Sequence, residues 1–389
     1  MVFYCAAYKK SWFWRIFAHK FLAMNIAFDA KRYFYNRTGL GNYSRFVVDG
    51  LKKHCAENEY FLYDARHPQA ASLQGFNGFL AKKMPSLWRS YFIKNALNYD
   101  NIDIFHGLSN EIPLVLPKRT KSVVTIHDLI FLRYPHTYNP IDALIYKKKV
   151  GYALKKSHKI VATSEQTKQD IVHFFGTAPQ KIDVVYQSCH AQFSQVLPLE
   201  VLCQTKQKYG LHKPFLLCVG SIATRKNQLN LVKAMHQLNV GSEVDLVLLG
   251  NKTAYQLEVE RYVAAQKMPN VRIFNAVEFS DFPAFYQLCI GVVNPSIFEG
   301  FGIPILEAMA SRVPVLASGV SSFPEVLGDL GNKNLYFDPD DVDEMASKID
   351  FLLKNRDNKA LFTQHFEAQL LQFDGELLAK KMNNLYLNI

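Results

Sequence analysis

The chain of 389 residues is 49% apolar and 20% charged, too long for one hydrophobic core and natural for two domains of ordinary size. A small binding module is excluded. The formal charge of +11 and a pI near 9.2 point to anionic partners, whether phosphates, nucleic acid or anionic lipid. The excess is unevenly placed: residues 1–200 hold 27 Lys and Arg against 14 Asp and Glu, and residues 201–389 hold 18 against 20. Such asymmetry fits a two-domain protein with one half facing an anion, or an evenly solvated basic face. Cys5, Cys55, Cys189, Cys203, Cys218 and Cys289 are far apart, without a CxxC pair or a neighbouring His cluster, so they read as reduced thiols of a cytoplasmic protein and not as a zinc site. No run of about 18 apolar residues lacks a charge or proline, so none reads as a bilayer span.

In chain order, residues 1–23 carry Lys9, Lys10, Arg15 and Lys20 and no acid, with Phe13, Trp14, Phe17 and Phe21 on one side of a notional helix. That pattern suits a membrane interface, but its polar face is untidy. Met24 to Asp29 already reads as an opening strand, so residues 1–23 are expected to be an extension outside the fold. Short β-branched runs then alternate with helical stretches, the mark of parallel sheets covered by helices. Strands are predicted at Ile26–Asp29, Ile102–Phe105, Ser122–Ile126, Ile160–Ala162 and Ile182–Val185. A less regular stretch runs from Gln187 to Pro214. The second series is predicted at Phe215–Val219, Val244–Leu249, Val271–Phe274, Gly291–Asn294, Val313–Ala317 and Leu335–Phe337. The two series predict two Rossmann-like α/β domains facing each other across a cleft, with loops at the carboxyl ends of the strands lining it.

Four segments place chemistry at those ends. Thr38-Gly39-Leu-Gly41-Asn-Tyr43 is a Gly-rich loop between a strand and a helix, a weak signal by itself. Thr125-Ile-His127-Asp128 puts a His and a carboxylate where a strand ends, although a lone His there is often a core side chain. Gly220-Ser221-Ile-Ala-Thr-Arg225-Lys226 places two cations at a helix start, which is unfavourable to the helix dipole unless an anion is present. In Asn294-Pro-Ser-Ile-Phe-Glu299-Gly-Phe301-Gly302-Ile303-Pro-Ile-Leu-Glu307, a loop leads into a helix whose unpaired N–H groups can receive a diphosphate. Glu299 stands before that cradle and Glu307 a turn inside the helix, both suited to accepting bonds from sugar hydroxyls.

These segments, with VATSEQTKQDI, Val320-Ser-Ser-Phe-Pro-Glu325 and Asp338-Pro339, resemble the retaining glycosyltransferases of family 4, and within them the mannosyltransferase-like members. The resemblance runs from about Met24 to the C-terminus. It implies the GT-B fold, with an acceptor domain at 24–195, a nucleotide-sugar domain at 196–365 and a C-terminal helix at 366–389 crossing back to the first domain. Phe373-Asp-Gly375-Glu would open that helix, with Gly375 where the family usually has Trp. The resemblance further implies that Glu307 binds the ribose, that Glu299 sits by the transferred sugar, and that Phe301, Gly302 and Ile303 offer backbone donors. Arg225 and Lys226 would neutralise the leaving diphosphate, Gly41 would let the first loop approach it, and His127 would contact the sugar. Val277 is implied at the base, and Ser221 stands where many relatives carry Arg.

The function implied is transfer of a hexose, mannose first, from a nucleotide diphosphate sugar to a glycan or lipid-linked saccharide in cell-surface polysaccharide such as lipopolysaccharide. GDP-mannose is the first donor and a UDP-sugar the second. No Asp-x-Asp triplet occurs, so no metal or other cofactor is expected. An acceptor-free nucleotide-sugar epimerase is the alternative enzyme. A basic nucleic-acid-binding protein is the alternative outside enzymes, and no recognisable module supports it. Thr38, Gly39 and Tyr43 belong to the acceptor side. Lys147, Lys148 and Lys149, flanked by aromatics, read as an acceptor or anionic-lipid contact at the inner face of the membrane, or as a solvated helix face.

Overall fold

The computed structural model describes residues 23–36, 39–65, 83–241 and 243–389. Residues 1–22, the greater part of the predicted extension, and Thr38 lie outside them. The first sheet holds β1 (Asn25–Asp29), β2 (Glu59–Tyr63), β3 (Ile104–Gly107), β4 (Lys121–Ile126), β5 (Lys159–Ala162) and β6 (Ile182–Val184), in the order β2-β1-β3-β4-β5-β6. The second holds β7 (Phe215–Val219), β8 (Asp245–Leu249), β9 (Val271–Phe274), β10 (Gly291–Asn294), β11 (Val315–Ser318) and β12 (Tyr336–Phe337), in the order β12-β11-β10-β7-β8-β9. Every pairing is parallel. Helices cover both faces, so central strands such as β7 and β8 are buried throughout, which is why they read as unbroken apolar runs.

The strand order reverses between β1 and β3 in the first sheet and between β7 and β10 in the second. Crevices open at such points beyond the carboxyl ends of the strands. Two expectations are corrected here. β2 was not predicted: it is an edge strand whose first residue is an exposed Glu, and its pairing with β1 reaches back more than thirty residues. The stretch from Gln187 to Pro214 contains a regular helix, Leu199–Tyr209, ended by Gly210 in the left-handed conformation at φ +63°.

The closing helix, Gly375–Leu387, crosses to the first domain. Asp374 caps it by accepting the Leu377 N–H at 2.8 Å. Leu378, Met382, Leu385 and Tyr386 pack with Val47, Val48 and Leu51 of the helix Gly39–His54. Phe362, Phe366 and Phe373 remain in the second core, so the crossing begins at Asp374. Among the described residues no helix is long and apolar enough to cross a membrane.

The domains meet through specific bonds. The Glu325 carboxylate accepts the N–H groups of Glu165 (2.8 Å) and Gln166 (3.2 Å) at the start of the helix Glu165–Phe175. The Tyr134 hydroxyl donates to the Ile297 carbonyl at 3.4 Å. A Cβ on Gly300 would overlap the His127 carbonyl oxygen, so only glycine permits this approach.

Candidate active site

The second-domain half of the site grows from β7 and β10. After Val219 the chain turns at Gly220, whose φ of +137° favours glycine, and the Lys226 side chain lies over it with Cε and Nζ 3.2 Å from where a Cβ would stand. Thr224–Lys226 forms a single 3-10 turn, and Ile297 donates its N–H to the Arg225 carbonyl at 2.9 Å, tying the two loops together. Arg225 Nη1 then lies 3.0 Å from one Glu299 carboxylate oxygen, and Lys226 Nζ lies 2.5 Å from the other. Burial pushes the Glu299 carboxyl up, but the two cations outweigh it and hold its pKa at about 2. Ser321 and Ser322 fix the loop by donating to the Glu299 and Phe301 carbonyls at 2.6 Å each.

Gly302, at φ +120°, precedes the helix Ile303–Ala310, with Pro304 in its first turn. The backbone N–H groups of Phe301, Gly302 and Ile303 find no protein acceptor among the described residues. That is the donor array an anion requires. Glu307, 5% exposed, accepts a bond from the Tyr286 hydroxyl at 2.6 Å. Burial raises its pKa to about 7 against the opposing pull of Tyr286 and Lys226.

The first-domain half stands opposite, beyond β4. His127 is buried, and burial lowers its pKa to about 4. Its Nε2 lies 2.8 Å from the Leu108 carbonyl, which can only accept. Nε2 therefore carries the proton, and Nδ1 is left as an acceptor for a hydroxyl. The Tyr43 ring meets the imidazole edge-on with centroids 4.6 Å apart, and its hydroxyl is hydrogen-bonded to the Thr125 hydroxyl at 3.0 Å. Asp128 lies within electrostatic reach of Arg225 and Glu299, although burial is the main cause of its raised pKa.

The structure thus gathers Arg225, Lys226 and Glu299 into one cluster with Glu307 within electrostatic reach of Lys226, and brings the His127–Asp128 segment of the other domain against it through Gly300. Gly39 opens the helix Gly39–His54, and Gly41 lies in its first turn, where a Cβ would overlap the Asn36 carbonyl. Ser221 follows Gly220 in the cation loop, its carbonyl accepting from Gln228 at 3.0 Å. Val277, beyond β9, is partly buried against the second core. Lys147, Lys148 and Lys149 are exposed on the helix Pro140–Lys156, and Lys149 pairs with Glu111 at 3.3 Å, apart from the Arg225–Glu299–Lys226 cluster.

Sequence reasoning assigned no role to Tyr286, to Glu325, or to Thr163 and Thr167, whose hydroxyls bond the His127 carbonyl at 2.9 and 3.1 Å. Glu325, in its Phe-Pro-Glu context at a helix start, and the two threonines, in VATSEQTKQDI, left a local signal; Tyr286 left none. Chemically, the cleft offers clustered cations and helix-end N–H donors to an anion, and neutral or acidic acceptors to hydroxyl groups.

Two parallel-sheet domains joined by a helix that crosses back, with this cradle in the cleft between them, define the GT-B class of glycosyltransferase. Residues 39–190 match the family model Glycosyltransferase Family 4, and residues 204–365 match Glycosyl transferases group 1. The chain is 29% identical to the O-antigen chain mannosyltransferase B of Escherichia coli, over 93% of this chain and 99% of that protein. It is 25% identical to the O-antigen chain mannosyltransferase RfbU of Salmonella typhimurium, over 77% and 79%. Among solved structures, Anabaena HepE in complex with UDP and glucose superposes with a TM-score of 0.71 at 17% identity, covering 94% of this chain and all of that one. WaaG, a glycosyltransferase involved in lipopolysaccharide biosynthesis, gives 0.65 at 17% identity over 93% and 99%. The chain belongs to glycosyltransferase family 4 and is a hexosyltransferase with the GT-B fold.

Proposed function

We propose that this enzyme transfers mannose, with retention, from a nucleotide diphosphate sugar to a growing O-antigen-type saccharide. The observation that carries the reading is the near full-length likeness to an O-antigen chain mannosyltransferase. It is supported by the cleft: Arg225 and Lys226 stand together where a leaving diphosphate would need neutralising. In this reading the N–H groups of Phe301, Gly302 and Ile303 hold the diphosphate, Glu307 the ribose and Glu299 the sugar. His127 Nδ1 accepts from a sugar hydroxyl, and Val277 lines the base. Binding frees the two cations from Glu299 and turns them to phosphate oxygens, so negative charge developing on the leaving group meets dipoles already in place. The departing phosphate takes the acceptor's proton, so no side chain is required as general base and no metal is required.

GDP-mannose is the proposed donor, and the acceptor enters against the first domain at a membrane surface. The acceptor-free epimerase and nucleic-acid readings are less favoured, because the matched relatives are named as transferases. A thermal-shift series with GDP, UDP, GDP-mannose and UDP-sugars tests the donor, since a ligand that binds only the folded state raises Tm. Selective stabilisation by GDP compounds, followed by mannose transfer to an O-antigen fragment, is expected. Selective stabilisation by UDP compounds would replace the donor.

A further inference from the structure

His106, in β3, is a buried histidine that the proposed chemistry does not use. Burial lowers its pKa to about 3, with a smaller push from His127, so the ring is neutral. Both of its nitrogens are bonded. Nδ1 lies 2.7 Å from the Tyr386 hydroxyl of the closing helix, and Nε2 lies 2.8 Å from the Thr125 hydroxyl of β4. Thr125 is bonded in turn to the Tyr43 hydroxyl, and the Tyr43 ring stands edge-on to His127. Tyr386, His106, Thr125 and Tyr43 are each at most 2% exposed. Together they form an unbroken buried string from the helix Gly375–Leu387 to the His127 imidazole.

The string transmits because its middle member has no freedom of role. A neutral imidazole donates from one nitrogen and accepts at the other. If Tyr386 donates to Nδ1, Nε2 must donate to Thr125. If Tyr386 accepts, Thr125 must give its one proton to Nε2 and can then only accept from Tyr43. The role taken at the closing helix therefore dictates the roles open at the cleft wall, and no solvent reaches the string to relax it. Two features of that wall depend on Tyr43: the imidazole it flanks, and the helix Gly39–His54, whose first turn holds Gly41. His127 is otherwise held by the Leu108 carbonyl at Nε2 and by Asn110 Oδ1 at its backbone N–H, 2.8 and 2.9 Å away. Those bonds leave the ring free to tip about Nε2, and the edge-on Tyr43 ring opposes that motion.

We infer that Tyr386 is a positioning residue for His127, acting through His106, Thr125 and Tyr43, so that the seating of the closing helix on the first domain sets an imidazole of the cleft. The sugar contact of His127 rests on the proposed function; the string does not. A second polar tie of the same helix supplies a control. Asn383 accepts from Asn58 at 2.8 Å and donates to Glu57 at 3.0 Å, and neither partner belongs to the string.

Consumption of GDP-mannose by the full chain, with an O-antigen fragment as acceptor, tests the inference. Tyr386→Phe keeps the ring and removes only the bond, and should lower kcat about tenfold, the effect of one lost buried hydrogen bond. The donor KM should stay within about twofold, since donor binding is not what the string serves. Thr125→Val should reproduce this loss, and Thr125→Ser, which keeps the hydroxyl, should restore the parent value. Asn383→Ala should lower Tm at least as much as Tyr386→Phe, yet leave kcat within about twofold of the parent. In a His127→Ala background, Tyr386→Phe should have no further effect on kcat. Unchanged kcat in Tyr386→Phe, an equal loss in Asn383→Ala, or independent losses from His127→Ala and Tyr386→Phe would each overturn the inference. Nitrogen NMR of labelled histidines, read without donor, keeps this separate from the mannosyl reading. The parent should show His127 protonated at Nε2, and Tyr386→Phe should speed exchange of that proton with water about tenfold. A parent that does not consume GDP-mannose refutes the mannosyl reading alone, and an exchange rate unchanged by Tyr386→Phe overturns the string.

Discussion

Lys226 Nζ and the Glu299 carboxylate stand 2.5 Å apart, and Arg225 holds the second carboxylate oxygen at 3.0 Å. In the proposed function the diphosphate displaces this acid from the two cations. Lys226→Ala should therefore lower turnover by about two to three orders of magnitude, the usual cost of losing one preorganised group at developing charge. Steady-state kinetics with saturating donor measure this. Glu299→Gln should tighten binding of the bare nucleoside diphosphate by about tenfold, ~1.4 kcal/mol, while reducing sugar transfer. Calorimetric titration that shows weaker diphosphate binding would contradict the competition.

Glu307 supplies a pH dependence. Its pKa of about 7 means that the free enzyme loses this proton near neutrality. A carboxylate accepts from ribose hydroxyls better than a protonated carboxyl does, so nucleotide affinity should rise as pH goes from 6 to 8. Glu307→Gln should flatten that profile. For stability the sign is opposite: because the folded pKa lies above the ordinary 4.5, the contribution is complete below about pH 4.5 and is lost as pH rises through 7. Denaturant titrations at pH 5 and pH 8, on the parent and on Glu307→Gln, check this.

Gly300 controls how closely the domains meet. A Cβ there would overlap the His127 carbonyl, which Thr163 and Thr167 already hold. Gly300→Ala should leave each domain folded but keep the walls apart, lowering kcat/KM by about a hundredfold, the effect of misplacing reacting groups by an ångström. Small-angle scattering should show a larger radius of gyration than the parent's with donor present.

Glu325 acts at the same junction by capping the helix Glu165–Phe175 from the other domain. Carboxylates at helix starts contribute up to about 1 kcal/mol, more when partly buried. Glu325→Ala should lower stability by about that amount. Calorimetry should also show the two domains unfolding less cooperatively than in the parent.

The sequence by itself determined what is local. The strand–loop–helix around Glu299 and Glu307, the cation pair at Arg225 and Lys226, and most of the buried strands are legible because their chemistry and hydrophobic period lie within a few neighbouring residues. Tertiary structure decided what depends on partners far along the chain. β2 exists because β1 pairs with it, Glu307 is raised to about 7 by burial in the assembled second core, and the His127 tautomer is set by a carbonyl nineteen residues away. Glu325 caps a helix 160 residues earlier, which no local pattern announces. The outward face of Pro140–Lys156 is the sharpest case, since its Ile, Leu and Lys spacing reads equally as a core stripe. Only the packing of Val150, Ala153 and Leu154 on the other side shows which apolar face the fold left uncovered, because burial is a property of the assembled surface and not of the residues that compose it.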